Sequence, residues 1–248
     1  MGLPLQHGIS RFYRFWWEGR GFSALLLILL LVFFLSPFIE STLTGFFLAV
    51  FYIPLLISGV ATVTESRFLR TVAAVGACLV LVFHVLNQNF PGRFFAICWY
   101  FSIVAFFFLM ISVLMHRVFR EGPVTRHRIR GAIAAYLLIG ITWSYIYMLI
   151  SLLINDAFSF PPSTIVRPDD PGLHSTLTYY SFVTLTTLGY GDVVPVHPVA
   201  RMFAILEALL GMLFPATLLA RLVSLEIMYR HTPGIGKPPE EDSKDDRW

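Results

Sequence analysis

The chain has 248 residues, 56% of them hydrophobic and 13% charged, with a formal net charge of +3. A soluble domain averages about 25% charged residues, so this balance excludes a soluble enzyme or binding module and describes an integral membrane protein. The small positive charge is spread over loops and gives no nucleic-acid footprint, and the two cysteines, Cys78 and Cys98, fall inside apolar runs and imply no disulfide framework.

Residues 1–20 contain ISRFYRFWWEGR, in which Phe12, Phe15, Trp16 and Trp17 alternate with Arg11 and Arg14. That mixture suits a segment lying in the cytoplasmic interface of a bilayer. About 20 apolar residues are needed for a helix to cross roughly 30 Å of hydrocarbon. Charge-free runs of that order occur at 21–39, 41–64, 71–92, 94–116, 131–155 and 171–191, and a seventh at 202–220 is interrupted only by Glu207. The first follows three arginines but has no small-residue cleavage site after it, so it is expected to be a span rather than a signal peptide. His84, in the third run, is expected to be a packing histidine.

Positive charge in short loops marks the cytoplasmic side. Arg11, Arg14 and Arg20 precede the first run, Arg67 and Arg70 separate the second and third, and Arg117, Arg120, Arg126, Arg128 and Arg130 follow the fourth. Arg230, Lys237, Lys244 and Arg247 follow the last, while the opposite loops carry mainly Glu40, Asp156, Asp169, Asp170 and Asp192. Both termini are therefore expected in the cytoplasm, which requires an even number of crossings. Seven runs and an even count leave one segment that enters and returns. The run 171–191 is the natural choice, since it holds seven Ser and Thr residues and three glycines. Non-helical backbone at membrane depth is tolerated only where protein buries it or it lines a water-filled path.

The residues Phe182 to Pro195 read FVTLTTLGYGDVVP. Placed between two long apolar runs, this sequence resembles the pore region of tetrameric potassium channels, and the resemblance covers about 129–230. It implies a short pore helix from about His174 to Thr186, and a filter made of Thr187, Leu188, Gly189, Tyr190 and Gly191. The carbonyls of Thr187 to Tyr190 and the Thr187 hydroxyl would replace the hydration shell of K+. Successive carbonyls can face one axis only if alternate residues accept unusual backbone angles, which Gly189 and Gly191 do without a side-chain clash. Tyr190, with Tyr179 and Tyr180 on the pore helix, would form an aromatic cuff around the filter. Relatives commonly carry tryptophan at those two positions, and Val or Ile where this chain has Leu188. Asp192 would place four carboxylates at the outer mouth and concentrate cations there.

The last run, continued to about Arg230, implies an inner helix. Gly211 stands where family members often carry a flexible glycine, and Pro215 follows one turn later, so the pair is expected either to hinge or to kink the helix. Leu219, Val223 and Ile227 recur every fourth residue. They would converge as an apolar cytoplasmic gate, or else face lipid or packing partners. Glu207 is expected to support the filter from behind by hydrogen bonding to hydroxyls such as Thr184 or Ser181, with Thr186 also among the supporting residues. His197, near the outer mouth, is either a pH sensor or an inert loop residue.

Six spans and one pore loop match the layout of voltage-gated channels, in which three or four charges per subunit respond to voltage. Between Arg93 and Arg117 the fourth run has no Lys or Arg and reads FFAICWYFSIVAFFFLM, expected as a lipid-facing aromatic surface. The expected fold is thus all-α: a peripheral four-helix domain at 21–118 without sensing charges, a basic linker at 119–130, a pore domain at 131–230, and a disordered cytoplasmic tail at 231–248. The five arginines around the linker are expected to attract anionic lipid or simply to fix topology. The expected activity is passive K+ conduction by a homotetramer, with no enzyme chemistry and no cofactor. The small size suggests a bacterial cell membrane. Two rival readings stay open: a non-conducting regulatory subunit that retains a pore-like loop, or part of a potassium uptake transporter.

Overall fold

The computed structural model describes residues 67–119, 125–161 and 171–230. The interfacial segment, the first two expected spans, Arg120 with the centre of the basic link, and the tail after Arg230 lie outside the described residues. Within them the chain runs α1 (Arg67–Asn89), α2 (Arg93–Phe119), α3 (Arg126–Leu153), β1 (Phe158–Ser159), α4 (Pro171–Leu185), β2 (Val194–Pro195) and α5 (Pro198–Arg230). The helices α1, α2, α3 and α5 are long and apolar enough to cross a membrane. The 15 residues of α4 rise about 22 Å at 1.5 Å each, too little for a hydrocarbon core of about 30 Å.

Helix α2 packs between α1 and α3. Its buried residues Ile103, Phe106, Phe107, Met110 and Leu114 recur at three- and four-residue steps and form one inward stripe. Opposite them stand alanines: Ala73 and Ala77 of α1, and Ala134 and Ala135 of α3. Small residues let helix backbones approach in a membrane, where dispersion contacts rather than water exclusion hold helices together. The aromatic run of α2 is therefore split, which corrects the expectation of a wholly lipid-facing surface. Phe106 and Phe107 turn into the core while Phe94, Phe101 and Phe108 stay exposed, because adjacent positions lie about 100° apart around a helix. His84 packs on Trp99 with ring centroids 5.0 Å apart and accepts a bond from the Gln88 amide at 3.1 Å. Cys78 and Cys98 are free thiols.

The basic link is shorter than 119–130, since α2 continues to Phe119 and α3 already begins at Arg126. Arg126, Arg128 and Arg130 are thus helical, and Arg117 lies in the last turn of α2, where a cation favours the negative end of the helix dipole. At the opposite end, Arg93 reaches across to donate to the terminal carbonyl of α3 at Leu153, 3.0 Å away.

Helix α3 is the central element, with α2 on one side and α4 and α5 on the other. Beyond its end the chain turns at Asp156, which has φ 54°. It then pairs β1 antiparallel with β2, Phe158 opposite Pro195 and Ser159 opposite Val194. Two more amides, of Val196 and His197, donate to the Ala157 carbonyl at 2.9 and 3.2 Å. This clip ties the segment after Gly191 to the end of α3.

Candidate functional site

The site is built on the last turn of α4. Proline at its first position, Pro171, starts the helix without wasting a donor. Leu173, Leu177 and Tyr180 turn one face into the core, and the helix ends at Leu185. The chain does not leave freely from there. The Thr187 amide donates to Thr184 O at 2.9 Å, and the amides of Leu188 and Gly189 both reach Val183 O, at 2.9 and 3.3 Å. Thr186 Oγ1 closes on Phe182 O at 2.7 Å. The start of the TLGYG run is thus anchored to carbonyls that a continuing helix would have used for itself.

Past this anchor the backbone alternates in hand: Thr187 has φ 59°, Gly189 58° and Gly191 78°. For the glycines the requirement is conformational and not steric, because a Cβ built on either meets nothing within 4 Å. Thr187 carries the same angle with a β-branched side chain, a strain of about 1–3 kcal/mol that persists only where surrounding bonds over-determine it. Two of those bonds are the amides of Thr187 and Leu188 just described. The sequence signalled the glycines but not this third position. Leu188 and Tyr190 are exposed in the single chain, 54% and 67% respectively.

The two adjacent tyrosines of α4 separate. Tyr179 is exposed and stacks on Tyr190, ring centroids 6.5 Å apart and nearly parallel at 9°; its hydroxyl lies within hydrogen-bonding reach of Asp192. Asp192 also takes the Val193 amide at 3.0 Å. Tyr180 instead points backward into a cluster with Tyr147 and Phe158, where every ring meets the others edge to face at 5.0 to 5.5 Å. Within one chain, then, Tyr179 touches Tyr190, and Tyr180 joins α4 to α3 and to the β clip.

Against α4 and α5, α3 presents Tyr136, Gly140, Trp143 and Tyr147. Tyr136 donates to the Leu185 carbonyl at 3.2 Å and stacks on Phe214 of α5. Gly140 leaves room for the Phe182 ring, which a Cβ there would strike. Trp143 meets Phe203 edge to face at 5.8 Å. These positions escaped the motif, although their spacing of four, three and four residues is a helical stripe that periodicity alone could have singled out. On α5, Glu207 is wholly buried between Ser181 and Tyr147; Thr184 is not its partner.

His197 is held at the start of α5 and is not a free loop residue. Its Nδ1 accepts the Val199 amide at 3.2 Å, so it caps α5, with Pro198 at the first helical position. Arg201 strengthens this start by donating to Pro195 O at 3.1 Å. Helix α5 runs unbroken past Pro215, whose missing amide leaves the Gly211 carbonyl without its helical partner. Leu219, Val223 and Ile227 are exposed along one face, at 65%, 49% and 55%.

Residues 169–226, from just before α4 to Glu226 of α5, match the family described as ion channel. The chain is similar to Protein LctB of Bacillus caldotenax, 35% identical over 88 residues that make up 36% of this chain and 64% of the relative. It is likewise similar to Protein LctB of Geobacillus stearothermophilus, 38% identical over 81 residues, 33% of this chain and 59% of the relative. The chain thus spans less than two thirds of the length of either relative. No solved structure matches it. The match to the ion channel family at 169–226, together with four membrane-capable helices among the described residues, supports a multi-pass membrane protein.

Proposed function

We propose that the chain is one subunit of a potassium-selective channel, in which four copies bring their TLGYG segments around a common axis. The observation that carries this reading is the alternation of backbone hand at Thr187, Gly189 and Gly191. A chain that alternates in this way directs successive carbonyls to one side, and four such rows form stacked rings of oxygens that take the place of an ion's water. Thr187, Leu188, Gly189 and Tyr190 supply the carbonyls, Thr187 adds its hydroxyl, and Asp192 gathers cations at the mouth.

Exposure in the single chain supports the four-copy arrangement. Leu188 and Tyr190 of the filter, and Met202, Leu206, Leu209 and Leu213 of α5, are all uncovered. Leu219, Val223 and Ile227 would form the apolar constriction at the cytoplasmic end. K+ passes down its own gradient, with no covalent step and no cofactor. The arginines at 117, 120, 126, 128 and 130 put a cluster of positive charge in the chain that sets its topology in a cell membrane or attracts anionic lipid, with both termini in the cytoplasm.

The test is purified protein in liposomes under a K+ gradient with Na+ opposing. The expected reversal potential follows K+. A potential that ignores K+, or no flux from a folded tetramer, overturns the reading.

A further inference from the structure

Glu207 lies in the first third of α5 and is wholly buried, unlike the exposed Leu188 and Tyr190. Both of its partners are hydroxyls on other helices. Tyr147 of α3 donates to Oε2 at 2.5 Å, and Ser181 of α4 has its Oγ 2.5 Å from Oε1. The same Ser181 Oγ is 2.7 Å from the carbonyl of Gly140 on α3. Four groups on three helices are therefore joined by three short oxygen–oxygen contacts.

The hydrogens can be counted. A serine hydroxyl and a tyrosine hydroxyl each bring one proton, and the Gly140 carbonyl brings none. With an ionised carboxylate, two protons must serve three contacts, and one close pair of oxygens faces lone pair to lone pair. One proton on the carboxyl closes the count. Glu207 Oε1 then donates to Ser181 Oγ, Ser181 donates to Gly140 O, and Tyr147 donates to Oε2. An ionised carboxylate held at membrane depth by hydroxyls alone would also carry a desolvation cost of several kcal/mol.

The position of Ser181 gives this chain of bonds a consequence. Val183 and Thr184, whose carbonyls anchor the amides of Thr187, Leu188 and Gly189, lie in the following turn of α4. A shift of α4 at Ser181 is transmitted through that turn to the strained start of the filter. We propose that Glu207 is a positioning residue for the filter: a carboxylic acid that keeps its proton and, through Ser181 and Tyr147, fixes the pore helix to the helices on either side of it. The inference rests on the channel reading and deepens it.

Two measurements on the full chain in liposomes test it. In infrared difference spectra at neutral pH, the carbonyl stretch of a protonated carboxylic acid is expected in the parent protein and lost in Glu207→Gln. This readout does not depend on conduction, and its absence from the parent overturns the assignment of the proton. In reversal-potential measurements, Glu207→Gln is expected to keep the K+/Na+ permeability ratio within about twofold, because its amide donates to Ser181 and accepts from Tyr147 as the neutral acid does. Glu207→Leu is expected to lower the ratio about tenfold, equivalent to about 1.4 kcal/mol. Ser181→Ala, which removes the central hydroxyl and leaves α5 untouched, is expected to lower it in the same direction and serves if Glu207→Leu does not assemble. A selective parent channel with unchanged ratios in Glu207→Leu and Ser181→Ala overturns the positioning role alone. A parent protein without K+-selective flux overturns the channel reading and the positioning role together.

Discussion

The backbone of Gly211 in α5 lies directly against the backbone of Leu185 at the end of α4, so close that a Cβ on Gly211 would collide with the Leu185 carbonyl. The glycine is required there by contact, since α5 and α4 cross at this point with no room for a side chain. Pro215 removes the hydrogen bond to the carbonyl of the same residue. The tightest approach in the site and the weakest bond in α5 therefore coincide at Gly211.

Gly211→Ala is expected to destabilise the protein by about 1–3 kcal/mol, the usual cost of overpacking a closed contact. Thermal unfolding in detergent measures it. Gly92→Ala is the control, because a Cβ at Gly92 meets only the Phe90 carbonyl oxygen at 3.9 Å. Equal midpoints for the two variants would show that Gly211 is not held by this contact.

Gly189→Ala and Gly191→Ala introduce no clash within the chain but force a side chain onto φ 58° and 78°. A left-handed alanine costs roughly 1–2 kcal/mol. That is small against the whole fold, so both variants are expected to insert and assemble while losing K+ over Na+ discrimination. Retained selectivity in a folded Gly189→Ala protein contradicts the role given to the alternating backbone.

The two adjacent tyrosines are expected to differ in kind. Tyr180→Ala empties the cluster with Tyr147 and Phe158 and is expected to cost about 3–5 kcal/mol, as for other large buried aromatics. Tyr179→Ala removes one exposed ring stack, worth about 0.5–1.5 kcal/mol, and is expected to act mainly on conduction at the mouth. A stability assay paired with flux separates them, and the reverse ranking rejects the placement of both rings.

His197→Ala is expected to lose about 1 kcal/mol by uncapping α5, whereas His197→Asn, which offers an acceptor of similar reach to the Val199 amide, retains most of it. Unfolding midpoints for the pair check this. Identical losses would remove the capping role.

Voltage is expected to change open probability only shallowly. Each charge moved across 100 mV contributes about 2.3 kcal/mol, and α2 carries no Lys or Arg between Arg93 and Arg117. A steep curve in single-channel recordings would place sensing charge in segments other than α2.

The sequence by itself determined the elements that depend on local chemistry. The long apolar runs 71–92, 94–116, 131–155 and 202–220 became helices because hydrocarbon leaves a backbone no other way to satisfy its polar groups. The hydroxyl-rich run 171–191 became a short helix, α4, followed by non-helical backbone with positive φ at Thr187, Gly189 and Gly191. Gly189 and Gly191 declared their backbone angles because only glycine adopts them without strain. Tertiary structure alone decided what depends on distance between segments remote along the chain. It set Glu207 on Tyr147 and Ser181, sixty and twenty-six positions away, and it turned Tyr180 inward while its neighbour Tyr179 met Tyr190. It also paired Phe158 with Pro195 and closed Gly211 onto Leu185. Gly211 and Glu207 stand out along an apolar run as a glycine and an acid, but their partners do not, because a helix face has meaning only once another helix is packed against it. Gly211 became a contact glycine, and Glu207 a shared carboxyl, only where α3, α4 and α5 meet.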